Sequence, residues 1–171
     1  MKVYEIRRYP DPILSRRARE VDPRDVRDGR LDRIVRRMLR TLRYNKGFGL
    51  AAPQVGLDIR LIIVATPSEA DNVASFLVAF NPVMILAEGA TRMREGCLSI
   101  PGQHFWVPRP GAPCRIEGLG HDGVPFAIEV RDLFSRACQH EVDHLDGILI
   151  KDRGSPALAM PAGNQGSPNR R

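Results

Sequence analysis

Arg131-Asp132-Leu133-Phe134-Ser135-Arg136-Ala137-Cys138-Gln139-His140-Glu141-Val142-Asp143-His144-Leu145-Asp146-Gly147 reads as one helix with its stop signal. Leu133, Phe134, Ala137, Val142 and Leu145 recur at helical spacing, and Gly147 supplies a residue that tolerates the left-handed turn ending a helix. Within it, His140 and His144 stand at i and i+4, so both imidazoles leave the same face and can grip one metal ion. Glu141 lies beside them, where a carboxylate can reach a water on that metal without being a ligand, which suits a general base for hydrolysis. The bland alternative is a surface helix with two histidines by chance. The chain has 4 histidines, and two of them bracketing a glutamate at this spacing favour the metal.

Working outward, a catalytic metal site takes a third protein ligand and keeps one position for water or substrate. The candidate is Cys97, in Arg94-Glu95-Gly96-Cys97-Leu98-Ser99-Ile100-Pro101-Gly102, where Gly96 allows close backbone approach and Pro101-Gly102 turns the chain. Taken alone, Cys97 would read as a small buried hydrophobe. Cys114, in a β-like run, and Cys138, on the helix side away from His140, keep that reading.

The chain has 171 residues, the length of one ordinary domain, and its 43% hydrophobic and 27% charged residues exclude disorder, a fibrous repeat and a membrane protein. No apolar run approaches a bilayer span, and Glu5, Arg7 and Arg8 interrupt any signal-peptide core, so the expected location is cytoplasmic. The formal charge of +6 favours an anionic partner without specifying one. Leu31 to Tyr44 predicts a second helix, with Leu31, Ile34, Val35, Met38, Leu39 and Leu42 on one side and Arg33, Arg36, Arg37, Arg40 and Arg43 on the other, read as a solvated face. Strands are expected at Ile59 to Ala65, Phe76 to Phe80, Pro82 to Leu86, Phe105 to Val107, Cys114 to Glu117 and Phe126 to Val130. The first 30 residues read as an extended wrapping segment, and Gly47 to Gln54 as a glycine-rich loop. The composition divides the chain into a catalytic domain at 1–152 and a Pro/Gly-rich flexible tail at 153–171.

Three segments, Gly47-Phe48-Gly49-Leu50-Ala51-Ala52-Pro53-Gln54, Glu95-Gly96-Cys97-Leu98-Ser99 and Gln139-His140-Glu141-Val142-Asp143-His144-Leu145-Asp146-Gly147, resemble the three signature motifs of peptide deformylase, in that family's order. The general likeness runs from Tyr9-Pro10-Asp11-Pro12 to about Lys151. The resemblance implies an α+β fold with antiparallel β-sheets packed around a central helix that carries the HExxH motif. It implies a metal-dependent hydrolase that removes the formyl group from N-formylmethionyl peptides and releases formate. Cys97, His140 and His144 would hold the divalent metal, Fe²⁺ in vivo, replaceable by Ni²⁺, Co²⁺ or Zn²⁺. Glu141 would shuttle the proton, while the Gln54 side chain and the Leu98 backbone N–H would donate to the developing oxyanion.

Gly47, Phe48, Gly49 and Gly96 are expected to contact substrate, partly by strand-like backbone pairing. Phe48, Leu133 and Ala137 are proposed for the methionine pocket, with burial in the core as the alternative for each. Glu95 and Arg109 would form an ion pair holding the Cys97 loop, Arg109 having substrate as an alternative partner. Two departures from the family stand out. His104 occupies a place where some members carry arginine, and the Pro/Gly-rich tail replaces the further helix that some bacterial members use to dock on the ribosome. A transient ribosome contact is therefore an expectation without its usual element.

Two rival readings compete. An HExxH zinc peptidase would take a third ligand downstream, where the chain offers only Asp146 and Asp152, both too close to the motif. A basic RNA-binding module with a structural metal would need a fourth protein ligand, from His104 or His121.

Overall fold

The computed structural model describes residues 2–67, 75–111 and 113–157. At its centre is Leu61–Ala65 (β2), apolar at every position. A strand without a polar face must be covered on both sides. Leu61 and Ile63 join a cluster with Val35, Met38 and Leu42 of the helix Asp32–Tyr44, whereas Ile62 and Val64 join one with Cys138, Val142 and Leu145 of the helix Asp132–Leu145. We number the helices α1 (Pro23–Arg27), α2 (Asp32–Tyr44), α3 (Asp132–Leu145) and α4 (Ile150–Arg153).

Around β2 the first sheet runs β1 (Gly49–Ala51), β2, β3 (Phe76–Ile85), β6 (Cys114–Leu119) and β7 (Pro125–Val130), every neighbouring pair antiparallel. A second sheet, ordered β4 (Thr91–Cys97), β5 (Ile100–Arg109) and β8 (Ser155–Pro156), meets the other side of α3 through buried Arg109, Arg136 and Glu95. Antiparallel sheets thus flank a helix that carries His140, Glu141 and His144, the α+β arrangement implied by the resemblance.

Both long helices lie where their periodicity puts them. The two strands expected on either side of Asn81 are one, β3, with a register shift between Phe80 and Val83. Asn81 takes a left-handed conformation (φ 48°) at that irregularity, and its amide both donates to and accepts from the backbone of Val21. Strand β1 lies inside the segment read as a loop, and β5 extends well beyond Phe105 to Val107. Strand β4 has no apolar alternation; its register comes from β5, from Thr91 against Arg109 to Cys97 against Ile100.

Ordered structure also continues past Lys151. Gly154 allows the chain to lie on β5, since a Cβ there would sit 2.6 Å from the Trp106 carbonyl oxygen. Ser155 and Pro156 then pair with Trp106 and Phe105. The expected boundary at 152/153 therefore falls within α4, and residues 158–171 of the expected tail lie outside the described residues.

The C-terminal end of α3 is anchored by Arg60, which is 4% exposed. Its guanidinium donates to the Leu145 carbonyl (3.2 Å), the Asp146 carboxylate (2.7 Å) and the Pro82 carbonyl (3.3 Å), tying α3 to the sheet. A cation at this end also opposes the negative pole of the helix.

Candidate active site

The helix α3 presents Cys138, Val142 and Leu145 to the core, so His140 and His144 project toward the second sheet. The β4–β5 hairpin brings Cys97 to meet them. The ligand atoms of Cys97, His140 and His144 all lie within 4.8 Å of one another, and Cys97 Sγ is 3.2 Å from His144 Nε2. Burial pushes the Cys97 thiol up, but His144 and His140 more than offset this and bring it down to about 5. Burial likewise works against charge on His140, yet its hydrogen bonds with Cys97 and Glu95 raise it to about 10. A thiol sulfur held toward its anionic form beside two imidazole nitrogens is a donor set suited to a borderline-soft divalent cation. Among the described residues, this is the one such group, and neither His104 nor His121 joins it.

His140 is oriented from behind. Its Nδ1 faces Glu95 Oε2 at 3.1 Å, which leaves Nε2 as the nitrogen that could face a metal ion. Burial would raise the Glu95 carboxyl, but hydrogen bonds with His140 and Arg109 hold it at about 2. Arg109 reaches Glu95 through Nε (2.7 Å) and Nη2 (3.1 Å), which is the expected ion pair, and donates through Nη1 to Asp143 at 2.8 Å. Arg136 adds an ion contact to Glu95 at 2.9 Å and a hydrogen bond to the Val107 carbonyl. Asp143, Arg136 and Ser99 were not singled out in the sequence. For Asp143 and Arg136 the available signal was charge on the face of α3 that also carries His140.

Glu141 is 4% exposed, and its Oε2 has no hydrogen-bond partner among the described residues. Burial raises its pKa, the histidines opposing. The carboxyl lies against Gly49, where a Cβ would stand 2.4 Å from Glu141 Oε1. Gly49 thus makes room for Glu141 as well as bordering the cavity. Gln54 is buried, its Oε1 accepting from the Ala51 N–H at 2.9 Å. Its Nε2 donates to Ser99 Oγ at 3.3 Å and reaches Cys97 Sγ at 3.6 Å, so the amide points at the cluster. Leu98 follows Cys97 in the turn between β4 and β5.

Cys97, His140, Glu141, Gln54, Gly49, Leu98, Glu95 and Arg136 border one open cavity of about 1460 Å³, together with Gly47, Phe48, Gly96, His104, Leu133 and Ala137, whereas Arg109, Asp143, His144 and Ser99 lie behind its lining. Phe48 and Leu133 are 81% and 66% exposed, which removes the core alternative for both. The His104 ring lies against Gly96, 3.3 Å from where its Cβ would be.

A family profile described as Polypeptide deformylase matches residues 3–159. A peptide deformylase of Thermodesulfovibrio yellowstonii is 40% identical over 156 residues, covering 91% of this chain and 92% of that one. The crystal structure of peptide deformylase from Thermotoga maritima superposes with a TM-score of 0.82 at 31% identity, covering 91% of this chain and 100% of that one. A peptide deformylase from Acinetobacter baumannii with Met-Ala-Ser bound gives 0.80 at 30% identity, covering 89% and 98%. With its three motifs folded together around one cluster and its length matched almost throughout, this chain belongs to the peptide deformylase family.

Proposed function

We propose that this chain removes the formyl group from N-formylmethionyl peptides at the site formed by Cys97, His140, His144 and Glu141. The observation that carries the reading is the convergence of a cysteine sulfur and two imidazoles, 4.8 Å apart at most, beside a buried carboxyl with one oxygen unpaired among the described residues. Cys97, His140 and His144 would hold the metal, Fe²⁺ as resident ion with Ni²⁺, Co²⁺ or Zn²⁺ as replacements. A bound divalent cation supplies Lewis acidity, strengthening water as an acid and polarising an amide carbonyl.

The chain's own residues do the rest. Glu141 Oε2 takes a proton from the attacking water and passes it to the amine nitrogen as the formyl C–N bond breaks. Gln54 Nε2 and the Leu98 N–H donate to the oxygen on which charge develops, worth about 100- to 1000-fold in rate per donor. Phe48, Leu133 and Ala137 receive the methionine side chain, and Gly47, Gly49 and Gly96 let the peptide backbone lie close. A solved peptide deformylase of Acinetobacter baumannii has Met-Ala-Ser bound, a peptide with methionine first, which supports a methionyl peptide as the occupant here. The reading places the reaction on nascent chains in the cytoplasm, with a transient ribosome contact. Among the described residues no helix is long and apolar enough to cross a membrane.

The zinc-peptidase alternative is not favoured, because the third ligand here comes from a strand upstream of the HExxH helix. Formylated and unformylated forms of one methionyl peptide separate the two. Formate release with the peptide bonds intact is expected; cleavage of the unformylated chain would overturn the reading.

A further inference from the structure

The three proposed ligands come from two separate bodies: His140 and His144 from α3, and Cys97 from the β4–β5 hairpin. One short segment touches both. Leu149 and Ile150 are buried in a small cluster with Phe105 and Val107 of β5, against which Cys97 packs. Beyond Gly154, β8 pairs with β5, and the Ala157 N–H donates to the His104 carbonyl at 2.8 Å. Between these anchors, Arg153 turns to α3 and donates through Nε to Asp143 Oδ2 at 2.7 Å and through Nη2 to Oδ1.

From Asp143 the contacts lead to the site. Arg109 bridges Asp143 and Glu95, and Glu95 holds His140 Nδ1. Both carboxylates are nearly buried, so removing a partner leaves charge uncompensated. Without Arg153, Asp143 keeps Arg109 as its cation among the described residues, and a shift of that guanidinium toward Asp143 would leave Glu95, the partner of His140 Nδ1, to Arg136. We propose that Ile150 to Pro156 is a clamp fixing the spacing between Cys97 and the two histidines, with Arg153 as its positioning residue. This rests on the metal reading above.

The test measures Co²⁺ affinity of the full chain by competition with a chromophoric chelator, following the thiolate-to-cobalt absorption. Arg153→Met keeps the aliphatic stem and loses the charge; it is expected to weaken Co²⁺ binding about tenfold, the low end for a group supporting a metal ligand. Arg153→Lys is expected to restore part of the loss, which a purely structural role would not require. KM for a formyl-methionyl peptide should stay near that of the parent. Should Arg153→Met fail to show the parental near-ultraviolet signal of Trp106, Arg153→Lys carries the test, with an intermediate loss expected. Parental affinity in a folded Arg153→Met, or in Arg153→Lys where that must serve, overturns the clamp alone. A parent chain without the thiolate absorption overturns the metal reading itself.

Discussion

Gly49 shows how little space separates a working site from an idle one. A single methyl there would occupy the position of the Glu141 carboxylate, and a displacement of about 1 Å in such a group can cost about 100-fold in rate. Gly49→Ala is therefore expected to lower kcat about 100-fold while metal content, measured by elemental analysis, stays at one ion per chain; an unchanged kcat would contradict the packing. Glu141→Ala should likewise keep the metal and lose nearly all formate release, because it removes the proton carrier and no ligand. Cys97→Ser should bind a soft ion more weakly, an alcohol being a poorer ligand than a thiolate, and parental metal content would count against Cys97. At this scale the motif residues were legible because their chemistry is written in their spacing. Asp143 and Arg136 were not, since a charged residue on a helix reads as solvated until its partners are in place, here Arg109 and Glu95 from the β4–β5 hairpin and Arg153 from α4.

Among the elements, α3 depends on how its end is held. Two arginines reach Asp146: Arg17, whose side chain is 65% exposed, and the buried Arg60, which also satisfies the carbonyls of Leu145 and Pro82. An exposed pair contributes about 0–1 kcal/mol, whereas a buried charged donor that leaves acceptors unsatisfied on removal costs about 3 kcal/mol. In urea unfolding, Arg60→Met should thus lower stability by about 3 kcal/mol and Arg17→Met by less than about 1 kcal/mol; equal losses would contradict the anchor. Helices α2 and α3 and strand β2 were legible because their apolar periods are dictated by the cores they fill. Strand β4, Thr-Arg-Met-Arg-Glu-Gly-Cys, escaped because it is exposed over most of its length and borrows its order from β5. Strand β8 escaped because a glycine and a proline in a polar stretch resemble the end of a domain, and only the β5 edge makes them a strand.

Across the whole molecule, the two sheets and α3 do one thing together: they carry a cysteine and a histidine pair, 43 residues apart from Cys97 to His140, to a single point at the floor of an open cavity. The sequence motifs announced the participants, while the spacing between them is a property of the packed molecule. Removing the metal should accordingly abolish formate release without unfolding the chain, because the three hydrophobic clusters are built without it. The most direct test is X-ray absorption at the zinc edge of the Zn²⁺-loaded protein. The account predicts one sulfur at about 2.3 Å, two imidazole nitrogens at about 2.0–2.1 Å and one further light atom. A sphere without sulfur, or one closed by four protein ligands, would contradict it.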